Sequence, residues 1–308
     1  MKNYSTFFLL SCICCIFLFN AGYLSSDLPV ALPDEVNEGD LVISHSLDDS
    51  LVVVTIMPLQ AFVDYICIDT VQTHLLLPPG SDPHSYEPSP RDLMQIEEAD
   101  VLVMIGAGMP FEMSIVSQIR DTNQDIVIIN TSQAVSLLQE EGGHGVDPHI
   151  WLSPITAQEI VDLIAEELSA VSPSHSALYH ERATAFRKEM QDLDAEFSEM
   201  LSHNNTTMFL VSHPSWGYVA DAYGLTQLAI YDHGKDPSPK TLQTLIDTAQ
   251  KDSLSVIIAD PLENQNAAHI IADAISGEAI VISPLAYDYT LNMRRFLYAI
   301  TKEGEIDG

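Results

Sequence analysis

Positive charge is scarce in this chain. Lys and Arg together number 12 against 44 Asp and Glu, for a formal net charge of −32. Phosphate recognition needs a basic patch, so nucleic-acid binding is excluded as a main role. Cysteine is equally sparse. Cys12, Cys14 and Cys15 crowd into the N-terminal apolar stretch and leave Cys67 alone. The body therefore has neither a disulfide framework nor a cysteine-based zinc ribbon. There is no His-Glu-x-x-His sequence and no closely spaced His pair, which argues against a zinc hydrolase of the helical type. Long apolar runs are absent beyond the N-terminus. What remains is a chain with 46% hydrophobic residues, too many for a disordered acidic tail and enough for a packed core.

Lys2 precedes the apolar run Phe7–Leu24. A run of roughly 18 residues is at the lower edge of a membrane span and suits a signal peptide or anchor. Leu9-Leu10-Ser11-Cys12 has the form of a lipoprotein cleavage box, and Ala21-Gly22 offers ordinary cleavage. Either outcome, like retention as an anchor, places the body outside the cytoplasm. We divide the chain into this leader (1–24), an acidic spacer with Pro29 and Pro33 (25–48), an N-terminal lobe (49–172), a connecting helix (173–203) and a C-terminal lobe (204–308).

The body reads as α/β, two lobes, each a mainly parallel sheet flanked by helices, joined by one long connecting helix. Leu51–Ile56 is a β-branched run of the kind buried on both faces of a sheet. Further strands are predicted at Val71–Leu77, Val101–Ile105 and Ile126–Ile129, and then at Met208–Val211, Leu254–Ala259 and Ala279–Ile282. Helical spacing is predicted over Pro58–Cys67, Pro90–Glu98 (capped by Ser89), Pro154–Ala170, Gly217–Tyr223, Pro239–Gln250, Gln265–Ile275 and Leu291–Lys302. Between the halves, Leu178, Ala185, Phe186, Met190, Leu193, Phe197 and Leu201 mark one face of a long amphipathic helix. About 28 residues would run roughly 40 Å, enough to connect two lobes.

Of the 11 histidines, three share a context. His84 and His149 each follow Asp-Pro, and His213 follows a strand directly. Loops leaving the carboxyl ends of strands are where open α/β sheets bind ligands. Neutral imidazole suits zinc and related ions. Elsewhere the structural reading prevails: His175, His180 and His203 on or beside the connecting helix, His45 in the spacer, His74 in a strand and His269 in mid-helix.

The blocks around these histidines resemble a known family. Leu76-Leu77-Pro78-Pro79-Gly80-Ser81-Asp82-Pro83-His84-Ser85-Tyr86-Glu87-Pro88, Asp147-Pro148-His149-Ile150-Trp151-Leu152-Ser153-Pro154 and Ser212-His213-Pro214-Ser215-Trp216-Gly217-Tyr218 are similar to blocks of the zinc/manganese-type solute-binding proteins of ABC transporters. Asp236-Pro237-Ser238-Pro239-Lys240 and Ile282-Ser283-Pro284-Leu285-Ala286 match two later blocks. The resemblance covers about residues 51–300. It implies that His84, His149 and His213 are metal ligands, that the metal lies between the lobes, and that it passes to an ABC permease driven by an ATPase. We expect a monomer. Ser283 stands where relatives often carry an Asp ligand, which opens the fourth position to water, Asp260, Glu263 or His233. The His-rich loop of many zinc-type relatives is reduced to Gln139–Gly145, with His144 as its one histidine. Three imidazoles without that carboxylate favour Zn2+, with Mn2+ as the alternative. A three-His zinc hydrolase and a metal-stabilised adhesin are the rival readings. A hydrolase would need a substrate-sized cleft, a carrier a buried ion.

Overall fold

The computed structural model describes residues 50–140, 145–231 and 235–302, without the side chains of residues 120 and 121. The predicted leader and spacer, His45, His144 and His233 lie outside the described residues.

The first sheet contains β1 (Leu51–Val54), β2 (Gln72–Leu75), β3 (Val101–Met104) and β4 (Val127–Asn130), in the spatial order β2-β1-β3-β4. All its pairings are parallel. Helices α1 (Met57–Cys67), α2 (Pro90–Glu97) and α3 (Pro110–Thr122) connect these strands. After β4 come a 3-10 turn (Thr131–Ala134), α4 (Pro154–Val171) and then α5 (Ser176–Asn204), the 29-residue helix that links the lobes. The second sheet contains β5 (Met208–Val211), β6 (Thr226–Ala229), β7 (Val256–Ala259) and β8 (Glu278–Val281), in the order β6-β5-β7-β8 and again all parallel. Its helices are α6 (Gly217–Tyr223), α7 (Pro239–Lys251), α8 (Gln265–Ala274) and α9 (Tyr289–Thr301).

The two lobes thus repeat one strand order. The central strands β1 and β3 are buried almost throughout because helices cover both faces, which is why they read as unbroken apolar runs. Buried Phe186, Met190, Leu193 and Phe197 put one stripe of α5 into the core. That helix packs against both α1 and α9, one from each lobe. Arg294 and Tyr298 of α9 both reach Glu196 of α5, at 2.9 and 2.7 Å. Ser89 caps α2 through a full capping box with Asp92.

Two elements departed from expectation. No helix was predicted between β3 and β4, where α3 lies. Its start has Pro110 but no side-chain cap, and Gly106 and Gly108 just before it read as a loop. Strand β6 was also unpredicted. It is an edge strand with Thr226 and Gln227 at its start, so it lacks the apolar run of a central strand. Among the described residues no helix is long and apolar enough to cross a membrane.

Candidate metal centre

The three histidines come from three different connections, all at carboxyl ends of strands. His84 lies between β2 and α2, His149 in the segment from β4 to α4, and His213 immediately beyond β5. Identical local devices aim the first two. In each Asp-Pro-His unit the Asp Oδ1 accepts the His backbone N–H two residues on, at 2.9 Å for both Asp82–His84 and Asp147–His149. This is an Asx turn, with the intervening Pro restricting the backbone. His213 is held differently. The Ser212 N–H donates to Ile258 O, and the Ser212 hydroxyl accepts from the backbone N–H of Asp260 at 2.6 Å. The carboxyl ends of β5 and β7 are thereby locked together.

The rings meet in the crevice between the sheets. Ring centroids are 5.8 Å apart for His84 and His149, 5.2 Å for His84 and His213, and 5.2 Å for His149 and His213. One potential ligand nitrogen from each lies within 4.8 Å of the other two. Nitrogens sharing one tetrahedral ion at ~2.0–2.1 Å are roughly 3.4 Å apart, so small ring rotations suffice to close the set. Among the described residues these three form the group that can hold a metal ion. Asp260 is outside that group. It is buried on the same cavity, and its Oδ1 accepts from Leu262 N at 2.9 Å. Burial raises its pKa, partly opposed by that N–H and by the nearby His213.

A carboxylate faces one ring nitrogen of His149. Asp147 Oδ1 is 2.7 Å from His149 Nδ1, which leaves Nε2 for an ion. The Asp147 carbonyl accepts from the Tyr218 hydroxyl at 3.0 Å, tying the loop to the other lobe. Trp151 closes one side of the site. Its ring centroid is 5.6 Å from that of His149, and its Nε1–H donates to Pro284 O at 2.8 Å. Trp216, in contrast, stacks on Phe296 at 3.9 Å and belongs to the core. The cavity has a volume of about 1060 Å³ and is lined by Asp82, Glu140, Asp147, Asp221, Asp260 and Glu263, with no Lys or Arg among its described lining residues. Such a cleft concentrates cations.

Sequence reasoning missed Gly217. A Cβ there would collide with Asp147 Oδ2. Gly217→Ala is expected to push Asp147 off His149 and weaken metal binding by about 10- to 100-fold, the usual scale for a disturbed outer partner. Isothermal titration checks this, and unchanged affinity would contradict it.

His84 has its pKa lowered to about 4, chiefly by desolvation and then by its two imidazole neighbours. An unfolded histidine titrates near ~6.5, so between that pH and 4 the unfolded chain takes up a proton that folded His84 refuses. Acidification through this window therefore lowers the stability of the metal-free protein. At neutral pH the ring is already deprotonated and ready to ligate. NMR titration of the His84 ring in metal-free protein is expected to give a midpoint near 4, and a midpoint near 6.5 would contradict this account.

Two parallel-sheet lobes with a histidine trio in their crevice define a two-lobed α/β protein with a candidate metal centre. The chain belongs to the ZnuA family, zinc-uptake complex component A, periplasmic, whose model matches residues 52–303. It is 31% identical over 245 residues to the zinc-binding lipoprotein AdcA of Streptococcus pneumoniae strain R6, covering 74% of this chain and 48% of AdcA. The chain thus spans about half the length of that relative. A crystal structure of ZnuA superposes with a TM-score of 0.77 at 32% identity, covering 83% of this chain and 99% of the other. The laminin-binding protein Lmb of Streptococcus agalactiae, described as having adhesin and metal-transporting activity, gives a TM-score of 0.73 at 26% identity, covering 82% and 99%.

Proposed function

We propose that the protein is an extracytoplasmic carrier that captures one zinc ion between His84, His149 and His213 and hands it to an ABC permease powered by a cytoplasmic ATPase. The observation that carries this reading is the convergence of three imidazoles from separate loops to within 4.8 Å. The acidic cleft draws in the hydrated cation, and the neutral imidazoles replace part of its water. Asp260, also on the cavity wall, supplies buried negative charge beside the ion. Solvent or that carboxylate completes the coordination. Release is a matter of loops more than of lobes, because α5 packs against helices from both lobes and cross-lobe bonds hold them, including Tyr289 Oη to Trp151 O at 2.8 Å and Tyr287 Oη to Asp64 Oδ2 at 2.8 Å.

The cavity is roomy enough for a small organic molecule, so size does not separate a carrier from a hydrolase. Family membership and the relatives' zinc binding support carriage. The likeness to Lmb favours adhesion as an added surface role, testable by binding to immobilised laminin with and without metal.

Metal choice follows from the donors. Imidazole favours zinc over manganese, which prefers oxygen. Zinc at 100 times its dissociation constant is expected to stabilise the metal-stripped protein by about 2.7 kcal/mol, roughly 5–10 °C in melting temperature. Manganese at the same concentration should give a smaller shift and be displaced by zinc in competition. Preferential manganese binding would overturn the zinc assignment.

A further inference from the structure

His149 has its carboxylate partner in its own Asp-Pro-His unit. His213 has no acid two residues before it, because Val211 occupies that position. The structure supplies one from another connection. Glu263, in the turn between β7 and α8, places Oε1 3.4 Å from His213 Nδ1. This is ion-pair distance, slightly longer than a hydrogen bond. The pair is largely shielded, with the two side chains 14% and 22% exposed.

The turn that presents Glu263 is tied down at several points. Glu263 N–H donates to Asp260 O at 3.1 Å. Gln265 Nε2 donates to Asp260 O at 2.7 Å and reaches Glu263 O at 3.3 Å. The Tyr231 hydroxyl donates to Asn264 O at 2.6 Å. Leu262 N–H closes on Asp260 Oδ1. The backbone that presents Glu263 is thereby fixed.

Resting on the zinc reading above, we propose that Glu263 is the positioning residue for His213. Its carboxylate accepts the Nδ1–H, selects that tautomer, and presents Nε2 to the ion, as Asp147 does for His149. Glu263 stands outside the group whose donor atoms converge within 4.8 Å, and its carboxylate faces His213 Nδ1, which fits a partner of the ligand better than a ligand. Through Glu263, the β7–α8 turn thus reaches a histidine on the β5 connection. A metal-binding histidine of fixed tautomer and ring angle loses less freedom on binding.

The test uses two readouts. The first is the ¹⁵N–¹H correlation spectrum of the His213 ring in metal-free protein, which reports the tautomer without any metal. The Nδ1–H form is expected in wild type and in Glu263→Gln, whose amide oxygen still accepts, and a mixture of tautomers in Glu263→Ala. The second is zinc affinity, expected to fall about 10- to 100-fold in Glu263→Ala and to be largely rescued in Glu263→Gln. Circular dichroism confirms folding of each variant. A Glu263→Ala protein with unchanged tautomer and affinity would overturn the proposal. So would a Gln variant as weak as the Ala one, which would mean that charge and not positioning matters, or an X-ray absorption spectrum showing a zinc–carboxylate bond lost in the Ala variant. If wild type fails to bind zinc while its His213 tautomer responds as described, the carrier reading falls and the positioning role stands.

Discussion

His149→Ala is expected to weaken zinc binding at least about a thousandfold, a loss of roughly 4 kcal/mol. A direct ligand should cost more than the 10- to 100-fold typical of an outer partner. His149 is also the most enclosed of the three, 6% exposed, with Asp147 already holding its Nδ1. Removing the ring deletes one donor of the trio and strands a buried carboxylate. His213→Ala should be comparable. His84 is the most exposed of the trio and, among the described residues, no carboxylate is paired with its ring nitrogens, so His84→Ala should be the mildest, though still far below wild type. His269→Ala is the control, since His269 is exposed on α8 away from the crevice. Equal affinities for the His149 and His269 variants, measured by chelator competition, would refute this ordering.

Trp151→Ala is expected to cost about 3–5 kcal/mol of folding stability, the range for emptying a buried aromatic site. The ring is 1% exposed and its N–H satisfies Pro284 O from the other lobe. The Trp151 carbonyl in turn accepts from Tyr289, at the start of α9. One residue therefore packs beside His149 and fastens the lobes together. Its loss should lower the melting temperature by on the order of 10 °C and also loosen zinc. Trp151→Phe keeps most of the apolar area and should lose less. Denaturant unfolding of both variants checks this, and an alanine variant within about 1 kcal/mol of wild type would contradict it.

Much of this architecture was legible because each signal had one physical cause. Val52, Val53 and Val54 announce a strand buried on both faces. Ser89-Pro90 marks a capped helix start, and Gly224, at φ +64°, marks the end of α6. Two of the histidines were legible because Asp-Pro-His is a self-contained turn, His213 because it follows a strand directly, and the family blocks around all three joined them into one set. What escaped depends on neighbours distant in sequence. Strand β6 is defined by its pairing with β5, since Thr226 and Gln227 carry little strand signal of their own. Helix α3 gains its apolar face from burial of Phe111, Ile115 and Ile119, interspersed with polar residues. The requirement for glycine at 217 arises only once Asp147 lies against it. Glu263 was visible as a possible fourth ligand, but its proximity to His213 is a product of the fold.

The central claim is that one divalent ion sits among three imidazoles. Anomalous diffraction at the zinc edge, on crystals of zinc-loaded protein, tests it most directly. The account predicts a single strong peak in the crevice, ~2.0–2.1 Å from one nitrogen each of His84, His149 and His213. A loaded protein whose zinc peak lies elsewhere, with the three rings uncoordinated, would contradict it.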